Sequence, residues 1–290
     1  MILAINKNIY RILAEVMILT GLFFLNSAIP PRLSASLPIH PTSFSVEDSV
    51  FQIGEELTYN VSFLGIDLGQ VKIKLLETVT NNNQKSYKAV AYIDSYKGVP
   101  LVDLHAVYES IIEQGIYSSF FHARDKQDNK WISYLYNFDY PHKSIYLEQS
   151  TWKSGKIDKR DTLHVDTLSQ DGLSLFFLAR RNIHYQHQMN IPVIINEKKG
   201  NALINFTAER TKGKIDAVDY PIDLIYFDGE ANFIGVFGLT GGFEGWFSND
   251  AARIPVIAKM KVLIGKINIE LMSWKRDKWM PPRYDGNDKN

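Results

Sequence analysis

Apolar and polar residues alternate along most of the chain from residue 50 onward. In the first such segment, Leu57, Tyr59 and Val61 are separated by Thr58 and Asn60. A period of two places the apolar side chains on one face of a strand, as in an antiparallel sheet with one buried face. Similar alternation occurs at 71–75, 87–93, 132–140, 203–208, 224–227 and 256–274. The pattern therefore predicts about a dozen strands.

Turn-forming residues separate these segments. Glycine, asparagine and lysine cluster at 65–69, 81–83, 153–156, 199–200, 212–213 and 228–229. A turn about every ten residues favours a meander of antiparallel strands over βαβ units, because βαβ units require helical patterns between the strands.

One segment departs from the alternation, because Leu173 and Phe176 follow a helical spacing. Ser169 is the predicted N-cap, Asp171 lies in the first turn, and the helix ends near residue 182 or 183. The predicted fold is all-β: a single curved antiparallel sheet or half-open β-barrel, with one helix at about residues 169–182 packed against it.

The N-terminal residues 1–28 have the features of a signal peptide. Lys7 and Arg11 precede an apolar segment at 12–25. About 14 helical residues span about 21 Å, less than the roughly 30 Å hydrocarbon core, and this length is typical of a signal peptide. Cleavage is predicted after Ala28 or Ser36, and an uncleaved inner-membrane anchor is the alternative.

The remaining segments are predicted from composition. Residues 29–49 are rich in proline and serine and are interpreted as a linker. Residues 50–274 form a single β domain, and residues 275–290 form a flexible C-terminal tail. No later segment is apolar over 18 residues, so the mature chain is expected to have no permanent transmembrane span and to be periplasmic.

Composition excludes several classes of protein. The 290 residues include no cysteine, so the chain forms no disulfide, Cys-ligated metal site or lipid-modified cysteine. Lys and Arg together number 32, as do Asp and Glu. This balance gives no electrostatic reason to expect a nucleic-acid partner.

Several short motifs together resemble a known family. They are Gly54-Glu55 before Leu57 and Tyr59, Gly65-Ile66 before Gly69, the helix that begins after Leu168-Ser169 and ends in Arg180, Trp246-Phe247-Ser248-Asn249-Asp250, Arg253-Ile254-Pro255, and the final strand segment with Gly265 and Leu271. The pattern resembles the bacterial envelope family called domain of unknown function 3108. The resemblance implies an exported protein of a Gram-negative bacterium and supplies no catalytic residues.

Two aromatic segments supply candidate ligand-binding residues. Residues 235–246 carry five glycines among Phe237, Phe243 and Trp246. This segment is either a flap over an apolar cavity, or a set of turns and bulges whose aromatic rings fill the core. A second stripe includes Tyr134 and Tyr136, which fit either a concave ligand-facing wall or ordinary core packing.

No catalytic residue, metal site or cofactor is predicted. The chain lacks the G-x-S-x-G, phosphate-loop and H-E-x-x-H motifs. Glu244 and Asp250 are the candidate acid and base of an alternative function, a polysaccharide-directed hydrolase. His184 and His187 would share one face if the helix continued through them, but they are interpreted as solvated residues after its end.

The predicted function is non-enzymatic binding of an apolar or amphipathic envelope component in a concave β cavity. Possible partners are therefore a lipid or amphipathic ligand and an envelope protein. A hydrolase and a structural docking module for envelope assembly are the alternatives. The chemistry of the cavity distinguishes them, because a dry apolar cavity larger than about 300 Å³ favours ligand binding.

Overall fold

The computed structural model describes residues 49–81, 84–99, 103–234, 241–261 and 266–286. Within these residues the chain forms fourteen strands and one helix, α1 (Gly172–Asn182). The strands are β1 Glu56–Phe63, β2 Ile66–Asn81, β3 Gln84–Ser95, β4 His105–Glu113, β5 Ser118–Gln127, β6 Lys130–Asp139, β7 Ser144–Thr151, β8 Ile157–His164, β9 His187–Ile195, β10 Lys198–Gly213, β11 Ile222–Ala231, β12 Gly241–Ser248, β13 Pro255–Lys261 and β14 Lys266–Lys275. The predicted signal peptide lies outside the described residues.

All fourteen strands belong to one antiparallel sheet. Their order is β8-β7-β6-β5-β4-β3-β2-β1-β14-β13-β12-β11-β10-β9. Two meanders are therefore joined side by side where β1 pairs with β14, with Tyr59 opposite Leu271. This arrangement confirms the predicted all-β class, and the sheet is not closed into a barrel by hydrogen bonds.

The two ends of the sheet can be identified from its connections. Because consecutive strands are antiparallel, every second connection lies at the same end. The segment between β8 and β9 contains α1 and defines what we call the helix end. The turns at 64–65, 128–129 and 196–197 lie at the opposite end, which we call the open end.

The two edges of the sheet approach each other without pairing directly. Gln170, just before α1, takes part in backbone hydrogen bonds with β9: its N–H donates to Pro192 O at 2.9 Å, and its carbonyl accepts from Ile194 N at 2.8 Å. Ile194 also packs into an apolar cluster with Tyr136 of β6 and Ile145 of β7. Side-chain packing thus connects the two halves across the gap.

The Asp171 carboxylate caps α1 with one oxygen and contacts the sheet with the other. Its Oδ1 accepts from the backbone N–H groups of Leu173 at 2.7 Å and Ser174 at 2.9 Å, while Oδ2 accepts from the hydroxyls of Ser110 at 2.6 Å and Ser118 at 2.7 Å. These bonds satisfy N–H groups that have no partner inside the helix and tie its start to β4 and β5.

The prediction of Ser169 as the N-cap is therefore wrong, because Ser169 lies two residues before the cap and its hydroxyl donates to Thr167 O at 3.2 Å. The predicted end is confirmed, since the last helical residue is Asn182 and the C-cap is Ile183.

A buried ion cluster anchors the other end of α1. Arg180 is fully buried, and it donates to Glu55 at 2.7 and 3.1 Å and to Ala252 O at 3.0 Å. Arg276 contacts the same carboxylate and donates to Ser49 O at 2.5 Å. Glu55 precedes β1 and Arg276 follows β14, so the cluster joins the helix to the seam between the two meanders.

The described part of the predicted C-terminal tail at 275–290 forms backbone hydrogen bonds with the start of β11. Asp223 N donates to Pro282 O at 2.8 Å, and Tyr284 N donates to Pro221 O at 2.9 Å. Prolines lack an N–H donor. Their carbonyl oxygens still accept hydrogen bonds, and here they hold the segment against β11.

Glycines in β11 and β12 make room for aromatic rings. A Cβ on Gly245 would lie 2.1 Å from Phe227, and a Cβ on Gly229 would lie 2.4 Å from Phe243. A register shift follows at Trp246. For its described part, the glycine-rich segment therefore contains a bulge and packed aromatic rings within the sheet.

We expect Glu55→Ala to destabilise the fold strongly. The substitution leaves the buried Arg180 guanidinium without its carboxylate, which typically costs about 3–5 kcal/mol. The free energy of unfolding from urea titration measures the effect. The control is Glu148→Ala, which removes an exposed pair with Arg160 at 2.9 Å and should cost less than about 1 kcal/mol. Equal losses in the two variants would contradict the role of the cluster.

We expect Gly245→Ala to lower the free energy of unfolding by about 1–3 kcal/mol, because the added methyl group overlaps the Phe227 ring. Gly172→Ala is the control. A Cβ at Gly172 has no neighbour within 4 Å, so alanine at this first helical position should leave stability unchanged or raise it by up to about 1 kcal/mol. A stable Gly245→Ala protein would rule out the packing role of this glycine.

Candidate ligand-binding cavity

The concave face of the sheet surrounds a cavity of about 660 Å³. Both meanders contribute apolar side chains to its wall, which include Val61, Val71, Ile73, Ile93, Phe121, Ile204, Phe227, Phe247, Ile257 and Ile269. Ligand sites in proteins are typically cavities of about 300–1,000 Å³ with mostly apolar walls. The size and lining of this cavity fall within that class.

Helix α1 closes the helix end of the cavity. Leu173, Leu175 and Phe176 face it, and the Phe176 ring packs edge-on against Tyr59 at a centroid distance of 6.5 Å. Burial raises the pKa of Tyr59 well above its ordinary value, so the phenol stays protonated and donates to Pro255 O at 3.1 Å. The floor of the cavity is therefore apolar, and the Tyr59 phenol at this floor has a hydrogen-bond partner.

The cavity reaches solvent near the open end. Gln127 and Asn196 line it, and both are exposed. Gln127 Nε2 donates to the Tyr134 hydroxyl at 3.0 Å, and Asn196 Nδ2 donates to Ile234 O at 2.8 Å. The polar groups at this end contrast with the apolar floor.

Asp125 lies one inward-facing position deeper than Gln127 on β5. Its carboxyl group contacts the Tyr108 phenol, while its Oδ1 atom is buried and has no hydrogen-bond partner among the described residues. Burial raises the pKa of Asp125, because an apolar environment disfavours the charged form. Glu197 also lines the cavity, and its backbone N–H donates to the Tyr136 hydroxyl at 3.2 Å.

The structure brings some of the candidate ligand-binding residues together. Tyr134, Tyr136 and Phe243 all line the cavity. Trp246 does not line it, and its ring instead packs on Tyr226 at 5.4 Å, because it alternates with inward-facing neighbours on β12. Phe237 lies outside the described residues.

The candidate acid and base of the hydrolase alternative do not converge. Glu244 pairs with Lys266 at 3.2 Å. Ser248, at the end of β12, lies four positions further along the strand, or about 13 Å away, and Asp250 lies beyond it. Asp250 accepts from Ser248 Oγ at 2.8 Å and Trp279 Nε1 at 2.7 Å, as a turn-stabilising residue does.

The two histidines after the helix are also separated by the fold. Because α1 ends at Asn182, His184 and His187 do not share a helical face. His187 begins β9 and stacks on Phe206 at 5.0 Å. Within the described residues, no group of three or more histidine, aspartate or glutamate side chains is placed to hold a metal ion.

Sequence reasoning missed the polar end of the cavity. Asp125, Gln127 and Glu197 were not among the candidates, although one signal exists in the sequence. On β5, Phe121 and Ala123 occupy inward-facing positions, and Asp125 follows in the same phase. A carboxylate in the apolar phase of a strand is unusual and indicates a polar group directed into the interior.

Comparison with solved structures gives distant similarity. A β-barrel-like protein of domain of unknown function DUF1849 from Brucella abortus has a TM-score of 0.48 and 8% identity, covering 77% of this chain and 97% of that one. A Bacteroides fragilis protein with a YmcC-like fold has a TM-score of 0.34 and 9% identity, covering 78% and 97%.

No curated protein sequence matches the chain. Within the described residues, no helix has the length and apolar character needed to cross a bilayer. The family model described as "Protein of unknown function (DUF3108)" matches residues 58–272. This match covers most of the chain and confirms the resemblance seen in the sequence motifs, so the protein belongs to the DUF3108 family.

Proposed function

We propose that this protein binds an apolar or amphipathic component of the bacterial envelope in its cavity, without catalysing a reaction. The cavity of about 660 Å³ carries the proposal. Apolar surface gains about 25 cal/mol for each Å² removed from water, so an apolar chain that enters this space is stabilised over most of its length. Phe243, Tyr134 and Tyr136 supply part of the binding wall.

The polarity of the cavity supports an amphipathic ligand in particular. Its floor against Leu173 and Phe176 is apolar, whereas Asp125, Gln127 and Glu197 stand near the open end. A molecule with an apolar chain and a polar head matches this gradient when the chain points toward α1 and the head toward solvent.

The positions of the acidic residues favour binding over hydrolysis. A glycosidase needs two carboxyl groups about 5–9.5 Å apart across one bond. Glu244 and Asp250 are each held in separate contacts, and neither lines the cavity. We therefore assign no acid or base role to them.

The proposal also includes export to the periplasm. Residues 1–28 would act as the signal peptide, with cleavage after Ala28 or Ser36, and residues 29–49 would link it to a single β domain at 50–274. An uncleaved N-terminal anchor would leave the same domain on the periplasmic side of the inner membrane. The intact mass of the protein purified from its own envelope distinguishes the two arrangements.

We expect that filling the cavity abolishes binding. Ala91 and Ala123 line the cavity, and Ala91→Trp or Ala123→Trp would place an indole ring inside it. Titration with the apolar fluorophore N-phenyl-1-naphthylamine should show at least about a tenfold loss of affinity in a folded variant. Two positions are tested because overpacking can itself destabilise the fold.

The matched control is Tyr92→Trp, which adds bulk at the neighbouring exposed position of β3 and should leave the titration unchanged. Native mass spectrometry of the wild-type chain, purified without denaturant, should show an amphiphile that the cavity-filling variants lack. A chain that carries no amphiphile and does not bind the fluorophore would contradict the proposal and favour the docking role.

A further inference from the structure

Among the described residues, the charged groups that line the cavity are all acidic. Asp125 and Glu197 are the charged residues of its described lining, which contains no lysine, arginine or histidine. Both stand on the side of the cavity formed by the β5–β6 and β9–β10 turns, near its opening. A ligand that fills the cavity therefore places its head beside carboxyl groups. None of the described lining residues is a cation that could balance an anionic head.

One oxygen of Asp125 lacks a partner. Four buried side-chain polar atoms have no hydrogen bond among the described residues, and they are Arg124 Nε, Asp125 Oδ1, Gln170 Oε1 and Arg180 Nε. Of these four residues, Asp125 alone lines the cavity. Buried polar atoms are nearly always satisfied in native proteins, so a donor reaching Oδ1 from inside the cavity is expected.

The neighbouring groups define what this donor can be. Tyr108 contacts the Asp125 carboxyl group from β4, and Gln127 donates to Tyr134 nearer the opening. An ionised carboxylate accepts hydrogen bonds and donates none. A head that carries N–H or O–H groups can donate to Asp125 Oδ1, whereas a carboxylate or phosphate head would add a like charge beside it in a poorly solvated place.

We propose that the cavity selects amphiphiles whose head is an ammonium group or an uncharged donor such as a hydroxyl, and discriminates against anionic heads. This inference rests on the proposed function, because it concerns the ligand of the same cavity. Asp125 is the residue that contacts the head, and Glu197 adds a second acidic group at the opening. Selectivity of this kind comes from repulsion of the wrong head as well as attraction of the right one.

A series of ligands with one chain and different heads tests the inference. Dodecylammonium, dodecanol, dodecanoate and dodecyl phosphate each compete with bound N-phenyl-1-naphthylamine at neutral pH, below the concentration at which they form micelles. We expect dodecylammonium and dodecanol to compete at concentrations at least about tenfold lower than the two anions. Equal competition, or preference for an anion, would overturn the inference while leaving cavity binding intact.

The Asp125→Asn variant tests whether Asp125 determines the selectivity. The ratio of dodecylammonium to dodecanoate affinity should fall by about tenfold, because the amide removes the charge at nearly constant size. Asp161→Asn, on the exposed strand β8, is the matched control and should keep the wild-type ratio. Glu197→Gln, in the turn after β9, is the second variant if Asp125→Asn does not fold, and it should lower the same ratio.

The outcomes separate the two proposals. If the protein neither binds the fluorophore nor carries an amphiphile, the proposed function itself fails. If the ligands bind but the ratio is unchanged in both Asp125→Asn and Glu197→Gln, only the assignment of head selectivity fails.

Discussion

The buried contact between Arg180 and Glu55 determines where α1 lies, and with it the space beside the helix. A guanidinium removed from water is tolerated only when a carboxylate and further acceptors surround it, and here Glu55 and Ala252 O supply them. Asp171 at the other end of α1 is held by four donors. Moving the helix deeper between the strands would separate both charged groups from these partners, in apolar surroundings.

This constraint explains why α1, despite its apolar side chains, does not fill the space that the sheet encloses. Leu173 and Phe176 would bury more surface if α1 moved inward, and a shift of the helix would gain hydrophobic energy of about 25 cal/mol per Å². The loss of two buried charge networks opposes that gain, because each uncompensated charge costs several kcal/mol. The helix therefore closes one end, and the aliphatic residues beyond it remain the wall of a cavity.

The composition of β8 and the backbone contacts of β9, the two edge strands, explain why the sheet stays open. The β8 segment carries Asp158, Lys159, Arg160 and Asp161, and nearly all of its side chains are exposed. A strand that is polar on both faces cannot lie inside a core, and charged residues on an edge also oppose pairing with another chain. The β9 edge is partly covered by the backbone of Gln170. The curved sheet of fourteen strands encloses more space than its side chains fill.

Local pattern was sufficient to predict much of this architecture from the sequence. Alternation of the kind seen at Leu57, Tyr59 and Val61 identified the strands, because each face of a strand has one environment. The cap of α1 was misplaced because Ser169 and Asp171 are both good capping residues. The choice depends on Ser110 and Ser118, which lie more than fifty residues earlier in the chain.

Local sequence pattern was also insufficient to identify which aromatic residues line the cavity. Tyr134, Tyr136 and Phe243 were selected for their aromatic character and do line it, whereas Trp246 has the same character but the opposite phase on its strand. The hydrogen bonds of the tail after residue 275 could not be predicted, because composition does not show which backbone carbonyls act as acceptors.

The hydrogen bonding of the buried carboxylates differs between the helix end and the open end of the sheet. At the helix end, the Asp171 and Glu55 carboxylates have donors on both oxygens, as groups that stabilise the fold must. Near the open end, Asp125 contacts Tyr108 but leaves Oδ1 buried without a partner beside the cavity. Selection for stability alone would favour an apolar residue in this inward phase of β5, because a buried carboxylate without full hydrogen bonding is unfavourable. The presence of a carboxylate at this position is explained when a ligand supplies the missing donor.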